Sequence, residues 1–238
     1  MIDLSREPLV VVGPTRRRVF DLCPRRFRNE HLLGVPSDAA EPAPASLGRL
    51  VHEELRARHD DPDRHDDARM VTGEGVRAAD PVADAAVRAH LRLCPRGRAR
   101  YLGGEVALSW APARERLLLS GRVDALWEHP DGTVEIRDYK TGMVPTELRA
   151  DFAAGVYALL VAALQPRPPR IVVSYERLVG EPAVVSVAVD RELLAAALDA
   201  VRGFAARLRA ERSFAATPSP PVCRMCPYTR TCPDSLAS

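Results

Sequence analysis

A mixed α/β domain is predicted, with a helical segment ahead of the sheet and a cysteine-rich tail behind it. Three observations carry that prediction. Residues 15–93 hold apolar side chains at helical spacing, residues 104–189 alternate short β-branched runs with one Ala/Leu-rich helix, and residues 223–232 hold three cysteines. The 238 residues are 46% hydrophobic and 28% charged, which suits a folded domain rather than a disordered chain. Aromatic residues are only 5%, so Ala, Val and Leu must fill most of the core.

Each element follows from local signals. Thr15 to Leu33 reads as one helix, ended by Gly34 and Pro36. Ala39 to Ser46 is a linker-like Ala/Pro/Glu stretch, and Leu47 to His59 resumes helical spacing through Leu50, Val51 and Leu55. Asp60, Asp61, Asp63, Asp66 and Asp67 crowd a polar loop. It lacks the glycine and closing glutamate of a calcium loop and reads as a solvated charge run. Pro81 to Leu93 is a third helix. Gly104 to Trp110, Leu117 to Trp127 and Thr133 to Tyr139 read as consecutive strands. Thr146 to Leu164 is a helix, and Arg170 to Arg177 with Ala183 to Val189 makes a second strand pair. Asp190 caps a last helix running to about Arg212. Pro218, Pro220 and Pro221 then exclude regular structure.

The net charge of +2 is too small to mark a nucleic-acid binder by itself. Its distribution is more telling, because Arg16, Arg17, Arg18, Arg25 and Arg26 crowd the first thirty residues. They read as a solvated helix face, or as phosphate contacts beside a site. No apolar run reaches the ~18–20 residues of a membrane span. Met1 to Arg6 has no signal-peptide pattern, so a cytoplasmic protein without a membrane partner is expected. In that reducing compartment clustered cysteines bind metal more often than they form disulfides.

The hairpin Ser120-Gly121-Arg122-Val123-Asp124 … Arg137-Asp138-Tyr139-Lys140-Thr141-Gly142 is the most informative stretch. Asp138 and Lys140 are two apart on a strand and leave one face. Pro130-Asp131-Gly132 suits a three-residue loop that pairs His129 with Thr133 and sets Asp124 opposite Asp138. A two-residue turn would instead send Asp124 to the other face. Two carboxylates and an ammonium on one patch fit hydrolysis assisted by Mg²⁺ or Mn²⁺. Lys140 is the only lysine in the chain.

This string resembles the core of the PD-(D/E)xK nucleases, and Asp138-Tyr139-Lys140-Thr141-Gly142 is similar to the RecB-like branch. Gly48-Arg49-Leu50-Val51-His52 looks like that branch's Gly-x-x-x-His helix. The resemblance implies a restriction-endonuclease-like mixed central sheet flanked by helices, in one nuclease domain. Residues 1–95 would be its helical part, 96–212 its α/β core and 213–238 its tail. It implies a metal-dependent nuclease acting on DNA single strands or ends. His52, Asp124, Asp138 and the Tyr139 carbonyl would be metal ligands, and Lys140 would assist the attacking water. Glu105 reads equally as an outer carboxylate or a solvated strand position. The family's Gln-x-x-x-Tyr helix is matched at Tyr157, whereas Ala153 stands at the glutamine position, a departure that bears on DNA positioning rather than on metal binding.

Cys223-x-x-Cys226 followed after five residues by Cys232 gives three thiols, and Cys23 in Cys23-Pro24-Arg25-Arg26-Phe27 is the candidate fourth. Four thiolates suit Zn²⁺ or an iron–sulfur cluster. The spacing is similar to the iron–sulfur RecB-like nucleases, among them AddB-type subunits of helicase–nucleases and CRISPR-associated exonucleases. That similarity implies a 4Fe–4S cluster, a DNA repair role, and a helicase or a CRISPR integrase complex as partner. A DNA-end-binding module that keeps the nuclease fold is the non-enzymatic alternative. Cys94 is left over and reads as a buried thiol.

Overall fold

Three consecutive valines open the sheet. Val10–Val12 (β1) lies parallel to residues 117–119, a strand that three uniformly β-branched residues do not announce by alternation. The computed structural model describes residues 9–39, 43–61, 80–112, 115–165 and 170–237.

The single helix expected from Thr15 to Leu33 is three pieces: Pro14–Leu22 (α1), Pro24–Phe27 (α2) and a π-helical turn Arg28–Leu33. Pro24 causes the first break, because its ring disfavours helical backbone in the residue before it. Cys23 is accordingly extended, with φ −163° and ψ 109°. Gly34 closes the π turn in the left-handed region. Ala43–Asp60 (α3) begins inside the stretch expected to be a linker. Pro81–Leu93 (α4) is capped by Asp80, whose carboxylate accepts from the Val82 and Ala83 amides. The aspartate run from residue 62 onward lies outside the described residues.

Arg100–Trp110 (β2), Leu117–Glu128 (β3), Val134–Lys140 (β4), Ile171–Arg177 (β5) and Ala183–Ala188 (β6) complete a six-stranded sheet. Its order is β1-β3-β4-β5-β6, with β2 also pairing β3. β4 and β5 run parallel, while β2–β3, β3–β4 and β5–β6 are antiparallel. Phe152–Leu164 (α5) makes the crossover that a parallel pair needs. It starts at the Asp151 cap, later than Thr146, because that carboxylate takes up the Ala154 amide. Arg191–Ala210 (α6) is capped by Asp190, as the sequence suggests. Pro220–Arg224 (α7) is helical despite its prolines, which occupy first-turn positions where no amide is required.

Helices cover both faces. On β4, Val134 and Ile136 pack in the cluster that holds Ala154, Ala158 and Val161 of α5. Tyr139 packs with Val51 and Leu55 of α3 and Val87 of α4. The mixed central sheet flanked by helices is therefore the architecture the resemblance implies, with the acidic hairpin at its middle.

Candidate active site

The hairpin takes the three-residue loop. The His129 amide donates to the Thr133 carbonyl at 2.9 Å, the Gly132 amide donates back to His129 at 2.9 Å, and Gly132 has φ +80°. The β3–β4 ladder runs from Glu128↔Val134 to Ala125↔Arg137, the register expected of that loop, and stops one step short of Asp124 and Asp138. There the ladder ends, and the Tyr139 amide donates to Asp124 Oδ2 at 2.6 Å.

His52 reaches this point from α3. Its Nδ1 lies 3.3 Å from Asp124 Oδ1 and 3.7 Å from Glu105 Oε1, and its Nε2 is 2.9 Å from the Tyr139 carbonyl. Acceptors thus face both nitrogens, an arrangement suited to the doubly protonated ring. Burial works against that charge, but hydrogen bonds to Asp124 and Glu105 outweigh it and push the His52 pKa up to about 10. The His52 contact in turn holds the Glu105 carboxyl below its usual range.

Glu105 occupies the left-handed region at φ +50°, a costly backbone for a side chain of its kind. It lies between the Gly104↔Ala125 and Val106↔Val123 pairs, level with Asp124. The β2 register has already shifted between Tyr101 and Gly103. The sequence left Glu105 undecided; the structure brings it to the acidic cluster.

Asp138 and Lys140 form a second unit. Their ion pair is 2.6 Å long, and Lys140 Nζ stands 4.5 Å from the centroid of the Tyr175 ring. Asp138 is 4% exposed, so its carboxylate meets the Lys140 ammonium in a buried setting. Burial and the nearby Asp124 charge push its pKa up, against the opposing pull of Lys140. Tyr157 of α5 is also close to Asp138, and burial with the Asp138 and Asp124 charges keeps its phenol protonated. α5 approaches β3 closely at Gly121, where an added Cβ would lie 3.1 Å from Leu160 and 3.3 Å from the Tyr157 ring. Ala153, at the position where the family carries glutamine, offers no polar group.

His52, Glu105 and Asp124 place three ligand atoms within 4.8 Å of one another. This oxygen-rich set with one imidazole fits Mg²⁺ or Mn²⁺, and it already gathers around a positive ring. Asp138 is committed to Lys140 and stands outside that group of three.

Cys23, Cys223, Cys226 and Cys232 line one small cavity, and none is in a disulfide. Burial pushes the Cys226 thiol up, and the neighbouring Cys23 and Cys232 add to that effect. The donor set fits a metal that favours thiolate ligands. The tail is held by Asp38, which accepts from the Arg230 and Thr231 amides, by the Tyr228 hydroxyl on the Val35 carbonyl, and by Thr217 on the Leu22 carbonyl. Cys94 lies elsewhere, 3.5 Å from His59 Nε2.

The arginines divide. Arg17 pairs with Asp21 at 2.9 Å and covers the Phe152 ring. Arg25 pairs with Asp234 and approaches Cys232 Sγ at 4.0 Å; Arg26 pairs with Glu30 and reaches the Met225 carbonyl. Those three are tied within the chain. Arg16 instead lines an open groove with His31, Arg122 and Tyr157.

Among the described residues no helix is long and apolar enough to cross a membrane. No functionally curated protein matches the chain. Among solved structures, it resembles a candidate exonuclease from Eubacterium rectale. That protein is 12% identical over 85% of this chain and 80% of the other, with a TM-score of 0.51, a likeness of fold alone. The protein SSO0001 is 16% identical over 95% of this chain and 87% of its own, but its TM-score of 0.36 is too low to support an argument. Residues 12–233 match the PD-(D/E)XK nuclease superfamily, and with nearly its whole length covered the chain belongs to that superfamily.

Proposed function

We propose that this chain is a metal-dependent deoxyribonuclease that hydrolyses phosphodiester bonds in single strands or at DNA ends, in DNA repair or recombination. The observation that carries the reading is the meeting of His52, Glu105 and Asp124 beside the Asp138–Lys140 pair. His52, Glu105, Asp124 and the Tyr139 carbonyl would hold Mg²⁺ or Mn²⁺, with Asp138 completing the acidic face. A divalent ion there supplies Lewis-acid stabilisation of the charge that builds on the phosphoryl oxygens.

The chain's own groups do the rest. Asp138 fixes the Lys140 ammonium by a 2.6 Å ion pair, so the ammonium is oriented before substrate arrives. From there it donates to the attacking water and offsets phosphoryl charge. The protonated Tyr157 phenol keeps Asp138 in place from the α5 side. Arg16 and Arg122, at the groove beside Tyr157, receive backbone phosphates. The four cysteines would hold a 4Fe–4S cluster that fastens the tail to the N-terminal segment, with Zn²⁺ as the rival occupant of the same ligands.

The test is incubation of the pure protein with end-labelled single- and double-stranded DNA in Mn²⁺, Mg²⁺ or EDTA. Cleavage that requires a divalent ion and vanishes in Asp124→Asn supports the reading. DNA binding without cleavage under every metal would replace it with the end-binding module that Ala153 favours.

A further inference from the structure

On the α3–α4 side of the sheet, three side chains of metal-ligating type meet in the buried core. His59 at the end of α3, His90 in the last turn of α4 and Cys94 just beyond it are all buried, with ligand atoms within 4.8 Å of one another. The two Nε2 atoms are 3.0 Å apart, and Cys94 Sγ is 3.5 Å from His59 Nε2. Imidazole nitrogens and a thiolate at zinc bond lengths of about 2.0–2.3 Å stand roughly 3.3–3.7 Å from one another in a tetrahedral shell. Small ring rotations would bring these atoms into that range.

The surroundings favour a cation. Glu176 Oε1 lies 2.8 Å from His90 Nδ1. A ring that donates there presents a bare Nε2 to the cluster, and a carboxylate behind a histidine is the usual outer partner of a ligating imidazole. Charge gives the same answer. Arg137 bridges Glu176 at 2.6 Å and Glu135 at 3.0 Å, and Glu135 is also met by His129 at 2.8 Å, so carboxylates back the cluster on its β4–β5 side. A Cys94 thiolate would add a buried negative charge beside them, which a divalent ion offsets. Among the described residues the buried Tyr139 hydroxyl has no hydrogen-bond partner, and its ring is 5.0 Å from that of His90. A metal-bound thiolate is an acceptor of the kind that phenol lacks.

We infer that His59, His90 and Cys94 hold a zinc ion, at a site distinct from both the acidic cluster and the four tail cysteines. Two nitrogens and one sulfur match zinc rather than Mg²⁺ or Mn²⁺. The ion would clamp α3 to α4. His52 lies seven residues before His59 on α3, two turns along the same face, so the clamp would also fix the direction in which His52 points.

Zinc is counted in the full chain after dialysis against excess Mg²⁺, which competes for the oxygen-rich cluster. Wild type should retain about one equivalent more than Cys94→Ala, because that substitution touches neither the tail thiols nor the acidic residues. Equal zinc in the two proteins would overturn the assignment. Should Cys94→Ala not fold, X-ray absorption at the zinc edge of the wild-type chain decides instead. Imidazole and sulfur in the same shell are expected; a shell of sulfur alone, or no retained zinc, overturns the site.

Discussion

Asp124 Oδ2 accepts the Tyr139 amide at 2.6 Å where the β3–β4 ladder stops, so one carboxylate closes the hairpin and faces His52. The two duties separate by mutation. Asp124→Asn keeps an oxygen for that amide and should fold with nearly wild-type stability, yet lose divalent-dependent cleavage. Asp124→Ala strands the amide and should cost a further ~1–3 kcal/mol, read by urea unfolding.

Asp138 is buried with its pKa pushed up, so its charge opposes folding when the metal is absent. Asp138→Asn should leave the EDTA-treated protein as stable as wild type or more so, by about 1 kcal/mol, while abolishing cleavage. Lys140→Ala should lower kcat strongly and leave Mn²⁺ affinity nearly unchanged, since an ammonium is not a ligand. A loss of Mn²⁺ binding in a calorimetric titration would contradict that division of labour.

The His52 ring supplies a pH signature. Its folded pKa of about 10 lies above the unfolded value of about 6.5. The protonated ring therefore contributes stability fully present below about pH 6.5, and that contribution is lost as pH rises through about 10. Thermal melts in EDTA should show wild type losing stability across that window while His52→Gln loses less. Mn²⁺ should stabilise wild type more at pH 8.5 than at pH 6, because metal and proton compete for one ring (both pH values roughly bracket neutrality).

Glu105 bears an unfavourable backbone for the sake of where its carboxylate sits. Glu105→Gly should relieve that strain and raise the melting stability by about 1 kcal/mol, while weakening Mn²⁺ binding. A destabilised Glu105→Gly protein would show that the carboxylate's contacts with His52 and with Arg122, whose Nη1 lies 3.4 Å from Glu105 Oε2, outweigh the backbone cost.

For the tail, anaerobically purified protein should be brown and carry about four irons per chain. Cys23→Ala or Cys226→Ala should lose colour and stability together, because ligation couples the tail to the segment it binds. Colourless protein with stoichiometric zinc would keep the four ligands and replace the cluster.

The hairpin was legible because Pro130-Asp131-Gly132 allows one loop length, and that length fixes which face Asp124 takes. The meeting of Cys23 with the tail was legible because the close tail spacing lacks a fourth thiol and Cys23-Pro24-Arg25-Arg26-Phe27 resembles the iron–sulfur nucleases. Other features depend on distant context. β1 is too short to show a period and exists because β3 offers it an edge. Glu105 joins the site through a backbone bend that follows a register shift at Leu102; Gly103 and Gly104 hint at a bulge there but not at where it turns the Glu105 carboxylate. Cys94 follows His90 by one helical turn, but it meets His59 only when α3 and α4 pack, so two of the three ligands were visible in sequence and the third was not.

The clasp between the tail and residues 22–38 also sets a timetable. Leu22, Val35 and Asp38 leave the ribosome about 200 residues ahead of the groups that bind them. At roughly 5–20 residues per second that is a delay of about 10–40 s. Throughout it Cys23 lacks the three tail thiols, and every strand of the sheet is made before them. Closing the clasp therefore comes after the strands of the sheet have been made, and a chain stalled short of Cys223 would present an open N-terminal arm to proteases.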